Sequence, residues 1–264
     1  MLLRDAKRKK RPIYPDSWDN LSQGSRVREE LELALAPIIE RVFGYYLVKL
    51  GGLTNELNLK SCPIKEKVNF ALNPTTDAHI VGRSCQLPFQ NNSVDAFVVL
   101  AELDFAQDPH QIIREIDRAI TSDGQVIIAG FNPFSLAGIF KYLPINRRNL
   151  LHQGRFFTSA RIKDWLQLLD FDVVKQEQIV YSSLFTRVSF GKNRPFFSKL
   201  DQKLNGFCKR YLPWFSSMYI LVAKKREVPL SPIKKQWQIN PKFKPRPATV
   251  ALNHQSKQNE DSLT

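Results

Sequence analysis

The sequence lacks any apolar run long enough to cross a membrane. No stretch reaches the roughly 18 consecutive apolar residues of a transmembrane helix, although 43% of the 264 residues are hydrophobic. The start of the chain, MLLRDAKRKKRP, places its charges directly after three apolar residues, which is the reverse of a signal peptide. We therefore expect a cytoplasmic protein whose length allows one substantial core.

Cysteine is also scarce, and its spacing carries no pattern. The three cysteines, Cys62, Cys85 and Cys208, stand far apart, form no CxxC pair and have no histidine cluster nearby. This spacing argues against a disulfide framework and against a cysteine-based metal site. Reduced thiols and no bound metal are therefore expected.

Acidic residues are few at the two ends of the chain. Residues 1–12 hold six basic and one acidic residue, and residues 223–264 hold nine and three. Of the formal net charge of +14, +5 and +6 therefore lie at the ends, and only +3 remains for residues 13–222. Basic ends can contact nucleic acid or an anionic membrane surface weakly, or simply keep a protein in solution.

Composition divides the chain into three parts. Residues 1–12 form a basic N-terminal tail, and residues 226–264, which contain five prolines and little apolar periodicity, predict a disordered basic tail. Residues 13–225 between them carry the patterns of a folded domain.

Within that domain, apolar segments of strand length alternate with amphipathic helix patterns. In SRVREELELALAPIIERV the apolar residues from Val27 to Val42 recur on one helical stripe. In DPHQIIREIDRAI, Asp108 stands where it can cap a helix that starts at Pro109. The alternation predicts an α/β three-layer sandwich around a mostly parallel sheet.

One interval breaks the alternation. Only about six residues, PTTDAH, separate the strand-like segments KVNFALN and HIVGRS. A parallel crossover usually takes a dozen residues or more. We therefore predict an antiparallel hairpin over residues 67–84 at the edge of the sheet.

An ordered series of short motifs runs through the middle of the chain. It comprises Leu87-Pro88-Phe89, Ser93-Val94-Asp95, a strand ending at Ala101-Glu102, the Glu115–Arg118 helix and the Asp123-Gly124 turn. This series resembles class I S-adenosylmethionine-dependent methyltransferases of the type 11 group, in a small bacterial branch. The resemblance covers about residues 38–225. It implies a Rossmann-like sheet of seven strands with an antiparallel last strand, and S-adenosylmethionine as the cofactor.

The resemblance implies a cofactor pocket at the carboxyl ends of the first strands, where this chain departs from the family. Lys49 stands at the position of an acid, and Gly51 and Gly52 are followed by Leu53 instead of a further small residue. Glycine lets backbone approach a ligand, so Leu53 is expected to restore bulk there. Lys49 is expected to repel the ammonium group of the cofactor. Two glycines after a strand are also consistent with a simple tight turn.

The family's acid that holds the ribose hydroxyls after the second strand is missing as well. Asn73 takes its place by counting, but the predicted hairpin would carry Asn73 to the far end of the sheet. The same reversal would bring Glu66 toward the pocket. Glu66 is therefore a candidate ribose ligand, with a solvated surface charge as the alternative.

After the third strand, Arg83 occupies the place of the acid that accepts the adenine amino group. Because arginine offers only donors, contact with the ring is left to the backbone of Ser84 and Cys85.

At the end of the fourth strand, Leu100, Ala101 and Glu102 are expected to line the methionine end of the pocket. Glu102 is the carboxylate placed to act as a base on a substrate. A surface acid near a helix is the alternative reading of this residue.

Two segments that combine apolar and basic residues are candidates to cover the pocket. They are residues 131–148, FNPFSLAGIFKYLPINRR, and residues 196–215, FFSKLDQKLNGFCKRYLPWF. An amphipathic lid, an apolar acceptor pocket, a membrane-surface helix and a nucleic-acid surface all fit this composition.

The leading hypothesis is an S-adenosylmethionine-dependent methyltransferase that acts by direct displacement on an unknown acceptor substrate. The alternative is a catalytically inactive protein of the methyltransferase fold that serves as a nucleic-acid or membrane-surface binding module through its basic ends, because a fold does not fix a function.

Overall fold

The computed structural model describes five segments of the chain, and the structural statements that follow concern these: residues 14–21, 24–74, 77–135, 153–179 and 216–226. The chain divides into two compact units, Met1–Glu227 and Val228–Thr264, and every described residue belongs to the first unit. The N-terminal tail, the C-terminal tail beyond Arg226 and most of the two segments expected to cover the pocket lie outside the described residues.

Seven strands of the described chain form one sheet. They are β1 (Tyr46–Leu50), β2 (Glu66–Ala71), β3 (Ile80–Val81), β4 (Val94–Leu100), β5 (Ile120–Phe131), β6 (Phe171–Ile179) and β7 (Met218–Lys225). Their order in the sheet is β3-β2-β1-β4-β5-β7-β6. β7 runs antiparallel to both of its neighbours, and the other pairs are parallel. The predicted mostly parallel sheet with an antiparallel last strand is confirmed.

Helices pack on both faces of this sheet. They are α1 (Gly24–Ile39), α2 (Gly52–Asn55), α3 (Glu102–Phe105), α4 (Pro109–Ala119) and α5 (Ser159–Gln167). One apolar cluster joins α1 to one face, and a second cluster joins α4 and α5 to the other. The predicted three-layer sandwich is therefore confirmed. Within the described residues, no helix combines the length and apolarity that crossing a bilayer requires.

Local signals set the ends of the helices in the way that the sequence predicts. The side chain of Asp108 accepts a hydrogen bond from the backbone N–H of Gln111 at 3.2 Å, so α4 begins at Pro109 with a capped first turn. On α1, the predicted stripe of Val27, Leu31 and Leu35 is fully buried.

The predicted antiparallel hairpin over residues 67–84 is wrong. β2 and β3 pair in parallel, with Phe70 opposite Ile80 and Ala71 opposite Val81. Because β3 has only two residues, the link after Ala71 has to return by only about 7 Å before the chain resumes the direction of β2. Eight residues are enough for this return, so the usual length of a parallel crossover does not apply to so short a strand.

Candidate functional site

The neighbouring strands β1 and β4 mark the place where the strand order reverses. From β1 the chain moves outward to β2 and β3, then returns to β4 and continues to β5 on the other side. Connections that leave the carboxyl ends of β1 and β4 therefore diverge and leave a crevice, which is where open α/β sheets bind ligands. Gly51, Ser84 and Glu102 follow the carboxyl ends of β1, β3 and β4.

The two glycines after β1 allow close approach by other parts of the same chain. Gly51 has φ +101°, and a Cβ there would lie 2.6 Å from Oε2 of Glu102. A Cβ at Gly52 would lie 2.9 Å from the carbonyl oxygen of Asp16. The turn is therefore covered by the Glu102 carboxylate on one glycine and by the N-terminal segment on the other.

Leu53 does not obstruct this crevice, so the expectation that it restores bulk there is wrong. Its side chain is buried in the cluster that joins α1 to the sheet, together with Trp18. The indole Nε1–H of Trp18 donates to the carbonyl oxygen of Leu53 at 2.8 Å. The first turn of α2 thus directs the third residue of the motif into the core.

Lys49 is buried, and its ammonium group is bound by the protein itself. Its Nζ donates to the carbonyl oxygens of Asn55 at 2.8 Å and Leu57 at 3.0 Å. Burial is the main cause that lowers the pKa of Lys49. Within the described residues Lys49 takes part in no ion pair. Lys49 therefore holds the end of α2.

Thr54 ties the turn after β1 to the end of β4. Its hydroxyl donates to the carbonyl oxygen of Leu50 at 2.6 Å and accepts from the backbone N–H of Leu100 at 3.0 Å. The side chains of Leu100 and Ala101, which were predicted to line the pocket, are buried in the core cluster on the α1 face. Ala101 has φ +52° and turns the chain sharply into α3.

Glu102 is the charged group at the centre of this edge. The residue is only 5% exposed, and its Oε1 accepts a hydrogen bond from the hydroxyl of Ser84 at 2.5 Å. Burial raises the pKa of Glu102 to about 7, and the hydrogen bond from Ser84 opposes the rise. Glu102 can therefore exchange a proton near neutral pH.

A cavity of about 500 Å³ opens beside Ser84. This volume lies within the range of small-molecule sites. The predicted residues Arg83, Ser84 and Cys85 line it. Sequence reasoning missed the rest of its lining: Tyr14, Leu72, Gln86, Gln107, Gln111 and Glu115.

Two further titratable groups of the cavity stay protonated at neutral pH. Burial raises the pKa of Tyr14, and the charges of Glu102 and Cys85 raise it further. Burial likewise raises the pKa of the Cys85 thiol, with contributions from Asp108 and Glu102. The Cys85 Sγ–H points to the carbonyl oxygen of Asp108 at 3.8 Å. Glu102 is therefore the member of this group that changes charge near pH 7.

Glu66 lies at the amino-terminal end of the parallel strands, away from the carboxyl ends where the pocket is expected. The predicted hairpin that would have brought it to the pocket is not formed. In the parallel register Glu66 stands opposite Tyr46, the first residue of β1. Asn73, two residues after the end of β2, lies instead at the carboxyl edge, where its amide donates to Oδ1 of Asp16 at 2.9 Å.

Comparison with known proteins places the chain in a family. A family model described as a methyltransferase domain, of the type 11 group, matches residues 59–128. The uncharacterized protein YafS of Escherichia coli strain K12 is 32% identical over 219 residues, which are 83% of this chain and 84% of YafS.

Solved structures share the fold at low sequence identity. A SAM-dependent methyltransferase from Archaeoglobus fulgidus is 17% identical with a TM-score of 0.52, and the match covers 75% of this chain and 94% of that one. The [4+2]-cyclase SpnF is 15% identical with a TM-score of 0.53, and the match covers 84% and 89%. The chain belongs to the class I S-adenosylmethionine-dependent methyltransferase family, in its type 11 group.

Proposed function

We propose that this protein is an S-adenosylmethionine-dependent methyltransferase that binds its cofactor in the cavity beside Ser84, next to the switch point between β1 and β4. The observation that carries the proposal is that this cavity, of about 500 Å³, is lined by Ser84, whose hydroxyl is bonded to the buried Glu102 carboxylate that lies against Gly51. A ligand site of an open α/β sheet is expected at this edge.

The chemistry of the lining supports a nucleoside-like ligand. Leu72 offers an apolar surface, and Gln107 and Gln111 offer amide donors and acceptors. The buried carboxylate of Glu102 provides the negative charge that suits a cationic ligand. These groups fit S-adenosylmethionine although the family's acids are replaced by Lys49 and Arg83.

The cofactor, when bound, supplies a methyl group on a sulfonium centre that is already activated for displacement. The task of the protein is therefore mainly to position the acceptor and to exclude water. Glu102, which the sequence predicted as a base, has a pKa of about 7 and can therefore present a charged carboxylate to a cationic ligand above this pH.

Titration calorimetry with S-adenosylmethionine and S-adenosylhomocysteine tests this proposal. The wild-type protein is expected to give saturable heat with both ligands. Gln111→Trp should weaken binding by about tenfold or more, because the indole would fill part of the cavity. Gln167→Trp makes the same change on the exposed surface of α5 and should leave binding unchanged.

A folded wild-type protein that gives no heat and no thermal stabilisation at millimolar ligand would contradict the proposal. That result would favour the inactive methyltransferase-fold alternative. Equal binding by the wild type and Gln111→Trp would show that the ligand binds elsewhere.

A further inference from the structure

Among the described residues, the Glu102 carboxylate has no positively charged partner. Its hydrogen-bond partner is the neutral hydroxyl of Ser84, which donates to Oε1. None of the ion pairs among the described residues includes Glu102. A buried carboxylate is costly unless it is paired with a charge or fully hydrogen-bonded. This group is thus only partly compensated by its own chain.

Lys49, the buried cation on the neighbouring strand β1, does not supply the missing charge. Lys49 directs its Nζ to the carbonyl oxygens of Asn55 and Leu57, at the end of α2. The second oxygen of Glu102, Oε2, lies instead directly against Gly51, where a Cβ would come within 2.6 Å. No hydrogen bond to Oε2 is present among the described residues.

We infer that Glu102 is the cation-binding residue of this site, and that its carboxylate holds the positively charged group of the ligand above Gly51. The inference rests on the proposed function for the identity of that ligand. Glu102, the first residue of α3 after β4, thereby supplies the negative charge that Lys49 on β1 cannot provide, and the positive group of the ligand is the ammonium at its amino-acid end.

The neighbours Tyr14, Cys85 and Ser84 do not change charge in the pH range in which Glu102 titrates. Tyr14 from the N-terminal segment and Cys85 from the loop after β3 both have raised pKa values and remain neutral below pH 8. Ser84 does not titrate, and the turn at Gly51 carries no charge. Asp104, on the same helix, accepts hydrogen bonds from the backbone N–H groups of Phe131 and Phe157. Glu102 is the group of this site whose pKa of about 7 places its proton exchange near neutral pH.

A pair of ligands that differ at one end isolates the proposed contact. S-Adenosylhomocysteine carries the ammonium group, and 5′-methylthioadenosine lacks the whole amino-acid end. At pH 7.5 the wild type is expected to prefer S-adenosylhomocysteine by about tenfold or more, as for a buried charge-assisted contact. Glu102→Gln should reduce this preference to about threefold or less.

Glu66→Gln is the matched control. It makes the same chemical change at an exposed position at the amino-terminal end of β2, away from the carboxyl ends of the strands. Both ligands should bind this variant as they bind the wild type. Ser84→Ala, which removes the hydrogen bond but keeps the carboxylate, should retain most of the preference.

The wild type alone provides a second measurement, which does not depend on the folding of any variant. Because Glu102 must be ionised to hold a cation, affinity for S-adenosylhomocysteine should rise about eightfold from pH 6.0 to pH 7.5. Affinity for 5′-methylthioadenosine should stay flat. Calorimetry at pH 7 in buffers of different ionisation enthalpy should detect release of about half a proton on binding S-adenosylhomocysteine.

The outcomes separate this inference from the proposed function. If Glu102→Gln keeps the wild-type preference, or if the wild-type affinity for S-adenosylhomocysteine does not change with pH, the inference is overturned and the proposed function stands. If neither ligand binds the folded wild type, both are overturned.

Discussion

Lys49 and Glu102 are buried charged residues near the carboxyl ends of neighbouring strands, and the protein treats them differently. The ammonium group of Lys49 is hydrogen-bonded to two backbone carbonyl oxygens of the turn after β1. Within the part of the chain that the structure describes, the carboxylate of Glu102 bonds to one hydroxyl, that of Ser84, which lines the adjacent cavity.

The difference separates a structural charge from a functional one. A buried charge that bonds to several backbone groups of its own chain stabilises local structure and is strongly coupled to folding. A buried charge that is only partly compensated reduces stability, so its retention requires another explanation. Three substitutions test whether the two residues differ in this way.

Lys49→Met should have the largest effect, a loss of about 3–4 kcal/mol in the free energy of unfolding. The change keeps much of the side-chain volume but leaves the carbonyl oxygens of Asn55 and Leu57 without their charged donor, and each such bond contributes about 1.5–3 kcal/mol. Methionine also removes the cost of burying a positive charge, and this gain offsets part of the loss in the free energy of unfolding. Urea unfolding measures the change, and a loss below about 1 kcal/mol would show that Lys49 does not hold the turn.

Glu102→Gln should act in the opposite direction and should depend on pH. The pKa of Glu102 is raised from 4.5 to about 7 in the folded protein, so between these values the folded state binds the proton more tightly than the unfolded state. The wild type therefore loses stability as the pH rises through this window, by about 3 kcal/mol at pH 8. Glutamine does not ionise and escapes this loss.

Unfolding of wild type and Glu102→Gln should therefore be measured at pH 4.5 and pH 8. The variant is expected to be more stable than the wild type at pH 8 and to show little of this gain at pH 4.5. A variant that is less stable at both pH values would assign Glu102 a structural role like that of Lys49.

Thr54→Val tests whether the ends of β1 and β4 are coupled, because Thr54 connects these two strand ends. The substitution preserves shape but removes the hydroxyl that joins Leu50 to Leu100, and it should cost about 2 kcal/mol. If the turn and β4 act as one unit, amide hydrogen exchange at the carboxyl ends of both β1 and β4 should become faster. Faster exchange in β1 alone would indicate that the two ends move independently.

Much of the fold was predictable because its signals are local. The cap at Asp108, the proline that follows it and the apolar stripe of α1 depend on residues close together in the chain, and all three are confirmed. The strand β3 could not be predicted correctly, because its pairing depends on its length of two residues.

The site was less predictable, since its residues come from distant parts of the chain. Ser84 and Cys85 were found through the family resemblance, but the direction of the Leu53 side chain depends on the packing of Trp18. Tyr14 was missed altogether. A faint signal existed in the pair of aromatic residues, Tyr14 and Trp18, within the otherwise polar stretch YPDSWDN.

The segment from Tyr14 to Asn20 bears on how shorter versions of this protein should be prepared. It contributes Tyr14 to the cavity wall, the Asp16 backbone above Gly52 and the Trp18 indole beneath Leu53. A fragment cut at the start of α1 would keep all seven strands and lose these three contacts. Truncations made for crystallisation with a ligand should therefore begin at or before Tyr14.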